Sequence, residues 1–112
     1  VRRALAAVAV VLASASACSG GGGGPGELTL EAGDIRFVPE TVVVQAGGQV
    51  TVALRNTDSV RHNLSVPGVE ADVDVEPGRS VNVIFVPPGT GALEFFCKYH
   101  REQGMRGTFQ VR

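Results

Sequence analysis

From Glu27 onward, apolar and polar residues alternate with a period of two. Leu28 and Leu30 are set against Thr29 and Glu31, Val50-Thr51-Val52-Ala53-Leu54 repeats the pattern, and Glu70 to Glu76 alternates acids with Val or Ala. Residues two apart share one face of a strand, so this pattern predicts half-buried β-strands. Further strands are predicted over Ile35 to Val38, Thr41 to Gln45, His62 to Val66, Ser80 to Val86, Ala92 to Cys97 and Gly107 to Arg112. Pro39, Ala46-Gly47-Gly48, Asn56-Thr57-Asp58-Ser59, Pro67-Gly68, Pro77-Gly78 and Pro87-Pro88-Gly89 interrupt them with turn chemistry. Short strands with breaks at this spacing predict an antiparallel sandwich or barrel. No stretch keeps a helical period over three turns.

The N-terminal segment follows another pattern. Arg2 and Arg3 precede the apolar run Ala4 to Leu12, and small residues follow up to Cys18. Residues 1–17 therefore read as an export signal. The apolar run is too short for a permanent membrane span. Ala15-Ser16-Ala17-Cys18 resembles the lipobox of bacterial lipoproteins, departing from it at Ala15, where Leu is most frequent. The resemblance implies that Cys18 becomes an acylated N-terminus that anchors the protein to the extracytoplasmic face of the membrane. Cleavage as an ordinary signal would instead give a periplasmic or secreted protein. Residues 18–26, rich in Gly, read as a flexible tether, and residues 27–112 as the folded domain.

Composition narrows the picture. The 112 residues suffice for one small domain, expected as a monomer. With no Trp and one Tyr, its core must be built from Val, Leu, Ile and Phe. The net charge is −1, and losing Arg2 and Arg3 with the signal leaves 8 basic residues against 11 acidic ones. Nothing in that balance points to nucleic acid.

The candidate chemistry is concentrated. Beyond Cys18 the chain has one Cys, one Met and two His. Cys97, His100 and Met105 fall in one nine-residue segment with C-x2-H-x4-M spacing. It begins at a predicted strand end and runs through a loop; His62 starts another strand after a polar turn. Taken singly, each has an ordinary reading: a surface His, a small apolar Cys, a core-filling Met. Taken together, a thiolate and two imidazoles form a trigonal set that suits both Cu(II) and Cu(I). A weak axial thioether leaves that set little changed on reduction. A structural zinc site would offer a fourth strong ligand in place of the thioether. A binuclear copper site would need a second Cys nearby. Cys97 is otherwise an unpaired Cys in an exported protein, which calls for such an explanation.

At this point the sequence resembles the cupredoxin family, in particular its plastocyanin and pseudoazurin branch. The likeness lies in the C-x2-H-x4-M loop followed by Gly107 and Thr108-Phe109-Gln110-Val111, and in His62-Asn63-Leu64 at a strand start. It extends to Phe37-Val38-Pro39, Val42-Val43-Val44 and Ala46-Gly47-Gly48, and so covers the chain from Glu27 to Arg112. The resemblance implies an all-β Greek-key β-sandwich with the metal site at one end. It implies one type 1 copper ion, with His62, Cys97 and His100 as strong ligands and Met105 as the axial one. It gives Asn63 the role of tying the two ligand segments together. The chain departs from many relatives at Lys98 and Tyr99, where they carry a small residue and Pro.

These observations predict a one-electron carrier outside the cell membrane, not an enzyme, working with a redox protein partner. The competing expectation is a protein that stores or delivers copper, although such proteins usually show Met-rich or His-rich tracts. Phe95 is expected in the core and Phe96 on the opposite face of its strand. Arg61, Lys98, Arg101 and Arg106 adjoin the candidate ligands, so Lys98 and Arg101 are candidate docking residues for a partner with an acidic face. The acids of Glu70 to Glu76 are expected on a separate, solvated edge.

Overall fold

The computed structural model describes residues 27–112; the predicted export signal, Cys18 and the tether lie outside them. The described chain is a Greek-key β-sandwich of nine strands: β1 Glu27–Gly33, β2 Arg36–Val38, β3 Thr41–Val44, β4 Val50–Asn56, β5 His62–Val66, β6 Ala71–Val75, β7 Ser80–Phe85, β8 Gly91–Phe96 and β9 Arg106–Val111. One sheet has the order β2-β1-β4-β7 and the other β3-β9-β8-β5-β6. Two short 3-10 turns, Pro67–Val69 and Arg101–Gln103, lie between strands.

The alternation read from the sequence decides what most strands bury; β5, covered on both faces, is buried throughout. In β4, Val50, Val52, Leu54 and Asn56 face inward, and in β7 Val83 and Phe85 do so. Between the sheets Phe95 and Phe109 meet at a tilt with centroids 4.5 Å apart, Phe37 meets Phe95 edge-on at 5.1 Å, and Phe85 meets Phe109 at 5.2 Å. Burying such rings contributes about 1.5–3 kcal/mol each, before side-chain entropy is subtracted. Phe96, on the opposite face of β8, is half-buried with Arg101 laid over its ring.

The sheets are mixed rather than antiparallel throughout. β1 runs parallel to β4, with Leu28 opposite Val52 and Leu30 opposite Leu54. β3 runs parallel to β9, with Val42 opposite Phe109. The cause is the chain's early change of layer: after the β1–β2 hairpin it crosses at Pro39-Glu40 into the other sheet. β2 and β3 thus become edge strands of different sheets.

Candidate metal centre

Three consecutive strands of one sheet bring the predicted ligands together. His62 is the first residue of β5, and Cys97 directly follows β8. The segment from Cys97 to Met105 closes the β8–β9 hairpin, whose last pair is Phe96 opposite Arg106. The Cys97 N–H donates to the Met105 carbonyl (3.0 Å), which sets the two ends of the loop side by side. Inside the loop, the His100 N–H donates to the Cys97 carbonyl (3.2 Å) and the Met105 N–H to the His100 carbonyl (3.3 Å). The 3-10 turn then ends at Gly104, whose φ of 96° is open to glycine at little cost.

His62, Cys97 and Met105 are fully buried, and His100 is half-buried. Nδ1 of His100 lies 3.5 Å and Nδ1 of His62 3.9 Å from the Cys97 sulfur. The two imidazoles meet edge to face, 4.9 Å between centroids. One donor atom from each of the three residues lies within 4.8 Å of the other two. Bonds of about 2.0–2.3 Å to nitrogen and thiolate would set the donors of a trigonal site roughly 3.6 Å apart. The cluster has that scale without rearrangement. Burial first, and the facing His62 ring second, push the His100 imidazole below its ordinary pKa, toward the neutral form that can ligate.

Asn63 ties the two ligand segments together. Its carbonyl oxygen accepts the Ser65 hydroxyl (2.6 Å) and the Lys98 N–H (3.2 Å). Its NH2 donates to Asp72 (2.7 Å) and Asp74 (3.0 Å). Two donors facing one end and two carboxylates facing the other permit a single orientation of the amide. The same acids hold the loop from outside: Lys98 Nζ lies 3.1 Å from Asp72, and the Tyr99 hydroxyl donates to Asp74 at 2.8 Å. The Asn63 amide, and then Lys98, hold the Asp72 carboxyl below the usual range; Asn63 and then Tyr99 do so for Asp74.

The separate acidic edge expected from the sequence is therefore not separate. β6 is an edge strand, but it lies beside β5, and its acids fold onto the ligand loop. Arg61 is likewise paired with Glu76 at 2.8 Å. Of the docking candidates, Lys98 is neutralised by Asp72, whereas Arg101 makes no ion pair among the described residues.

Asp58 is a site residue that sequence reasoning missed. Its Oδ2 lies 2.7 Å from Nε2 of His62, and its carboxylate also accepts the N–H groups of Asp34 (2.8 Å) and Ile35 (3.0 Å). Burial alone would raise this carboxyl; the Ile35 amide, His62 and the Asp34 amide together outweigh it and bring it to about 2. Asn56-Thr57-Asp58-Ser59 reads as turn chemistry in the sequence. The available signal was that a buried imidazole ligating through one nitrogen needs an acceptor at the other.

A β-sandwich carrying a buried thiol, two imidazoles that face it and a thioether on the same loop has the donor set of a type 1 copper protein. The chain belongs to the cupredoxin-like domain family, whose sequence profile matches residues 3–111, and one type 1 copper ion is the cofactor that goes with this arrangement. Its fold is similar to sodium dithionite-reduced auracyanin from the photosynthetic bacterium Roseiflexus castenholzii (TM-score 0.70, 21% identity, 80% of this chain and 99% of that one). It is also similar to auracyanin A, a "blue" copper protein of Chloroflexus aurantiacus (TM-score 0.67, 18% identity, 80% and 100%). A third likeness is to the metal-binding domain of the Cu(I)-exporting P-type ATPase CopA of Streptococcus pneumoniae D39 (TM-score 0.65, 14% identity, 77% and 84%). No curated protein matches the chain in sequence.

Proposed function

We propose that this protein is a one-electron carrier, not an enzyme, and that His62, Cys97, His100 and Met105 hold its copper ion. The observation that carries the reading is the orientation of both imidazoles: each sets Nδ1 against the buried Cys97 sulfur, and of the four candidate ligands only His100 is not fully buried. When bound, the ion supplies a Cu(II)/Cu(I) couple at a site whose geometry suits both states. The protein's own part is to keep the donors fixed and dry and to leave one imidazole edge accessible to a redox protein partner. The core behind Cys97 and Met105 and the hydrogen bonds of Asn63 do the fixing. The likeness in fold to a "blue" copper protein supports the same reading.

The proposal includes export with the N-terminal signal, acylation of Cys18 and a monomeric domain tethered at the outer face of the membrane. Mass spectrometry of the processed N-terminal peptide decides the acylation: a diacylglycerol mass on Cys18 supports it, and an unmodified soluble N-terminus rejects it. The second reading, copper storage or delivery, is favoured by the likeness to a Cu(I) exporter's metal-binding domain. The two differ in whether copper stays bound through repeated oxidation and reduction.

The deciding measurement is the visible and paramagnetic resonance spectrum of the oxidised copper protein. An intense thiolate-to-copper band with narrow hyperfine splitting is expected, lost completely in Cys97→Ser. A colourless protein that prefers zinc to copper would overturn the reading. Release of copper on each reduction would favour delivery over electron transfer.

A further inference from the structure

His62 has two ring nitrogens to satisfy in a fully buried position. Nδ1 is aimed at Cys97, and Nε2 is 2.7 Å from the Asp58 carboxylate. An ionised carboxylate only accepts, so Nε2 must donate, and in the neutral imidazole, the form that can ligate, this leaves the Nδ1 lone pair pointing at the ligand cluster. The carboxylate is itself fixed from other sides. The N–H groups of Asp34 and Ile35 donate to its two oxygens. Its own N–H donates to the Asn56 side chain (2.8 Å), which in turn binds the carbonyls of Val60 (2.8 Å) and Val75 (3.0 Å). Asp34 and Ile35 both have φ of 54°, an unfavourable conformation for a β-branched residue such as Ile35. The turn thereby aims two successive amides at one anion.

We propose that Asp58 is a positioning residue for the copper site. On this reading it sets the His62 tautomer before metal arrives, and its negative charge, one imidazole away from the ion, favours Cu(II) over Cu(I). The inference rests on the proposed ligand role of His62. It makes the β1–β2 turn, remote in sequence from every ligand, part of the apparatus that sets the reduction potential. The competing account is that the carboxylate serves only to stabilise the strained turn and touches His62 incidentally.

Two variants separate these accounts. Asp58→Asn keeps the size and removes the charge. Ile35→Gly relieves the positive φ and keeps both the backbone donor and the carboxylate. Asp58→Asn is expected to shift the Cu(II)-to-Cu(I) affinity ratio toward Cu(I) by about tenfold, a rise of about 59 mV for a one-electron couple. Ile35→Gly is expected to move the thermal midpoint and leave the potential unchanged. Equal shifts of potential in both variants, or none in Asp58→Asn, would overturn the proposal. A second measurement needs neither a variant nor copper: nitrogen-15 NMR of the metal-free protein should show His62 as the Nε2–H tautomer, and the Nδ1–H tautomer would overturn it. That result also distinguishes the two levels. A protein that fails to form a blue site yet shows the Nε2–H tautomer loses the copper reading and keeps the Asp58–His62 arrangement.

Discussion

At the scale of single residues, the four candidate ligands were legible because thiol, imidazole and thioether are scarce here and three of them fall at one spacing. Their partners were not legible. Asp58, Asp72 and Asp74 are three of 11 acidic residues, and nothing local sets them apart from solvated charge. Only the pairing of β5 with β6 brings Asp72 opposite Ser65 and Asp74 opposite Asn63. Met105 shows the same division between what a residue offers and what its setting does with it. It is fully buried, and its carbonyl is bonded to the Cys97 N–H, so the loop's geometry does not depend on the sulfur. A thioether is a weak axial donor that adds electron density and thereby favours Cu(II). Met105→Leu nearly conserves volume and should cost less than about 1.5 kcal/mol of stability. Copper and the blue band should persist while the reduction potential rises, as cyclic voltammetry of the purified variant would show. Complete loss of copper in that variant would mean that the thioether holds the metal rather than tunes it.

At the scale of elements, strands were readable to within a residue or two, because the period of two is a local property. Ser80 to Val86 was predicted and β7 is Ser80–Phe85; Ala92 to Cys97 was predicted and β8 is Gly91–Phe96. Which strand pairs with which was not readable from alternation. The parallel pairs β1–β4 and β3–β9 follow from a layer change whose only local sign is Pro39. That crossing places the Glu40 carbonyl against β9, where it accepts the Thr108 N–H at 2.8 Å. A Cβ on Gly107 would then lie 2.5 Å from the Glu40 carbonyl oxygen and press on the ring of Phe95. Phe95 is fully buried and packed on Phe37 and Phe109, so neither neighbour can yield cheaply. Gly107→Ala should therefore destabilise the metal-free protein by about 1–3 kcal/mol in urea unfolding. A change within about 0.5 kcal/mol would show that β9 can shift away from β3 at this point.

At the scale of the whole molecule, the question is what a partner meets at the metal end. Four basic residues adjoin the ligands in sequence, which alone suggests a positive ring around the His100 edge. The fold alters that field. Arg61 is paired with Glu76 and Lys98 with Asp72, so at distances well beyond the few ångströms within each pair these two cations contribute little net charge. Arg101 lies over the Phe96 ring with its guanidinium carbon 4.2 Å from the centroid, beside a hollow of about 270 Å³ that it lines with Arg106, Glu40 and Glu94. Between Arg101 and Lys98, Arg101 is therefore the stronger candidate to steer an acidic partner, and the exposed Tyr99, which shares a hollow with Arg101, offers apolar contact close by. Exposed charges act mainly on the association rate and are screened by salt. Arg101→Glu should slow electron transfer by roughly tenfold at low ionic strength and flatten its salt dependence. Lys98→Glu should do less to the rate, although it sets a second acid against Asp72 and loosens the loop's outer hold. Stopped-flow rates with one acidic redox partner, at low and high salt, separate the two. Equal effects of both reversals would mean that the Lys98–Asp72 pair opens on docking. Rates indifferent to both would leave recognition to the apolar surface around His100.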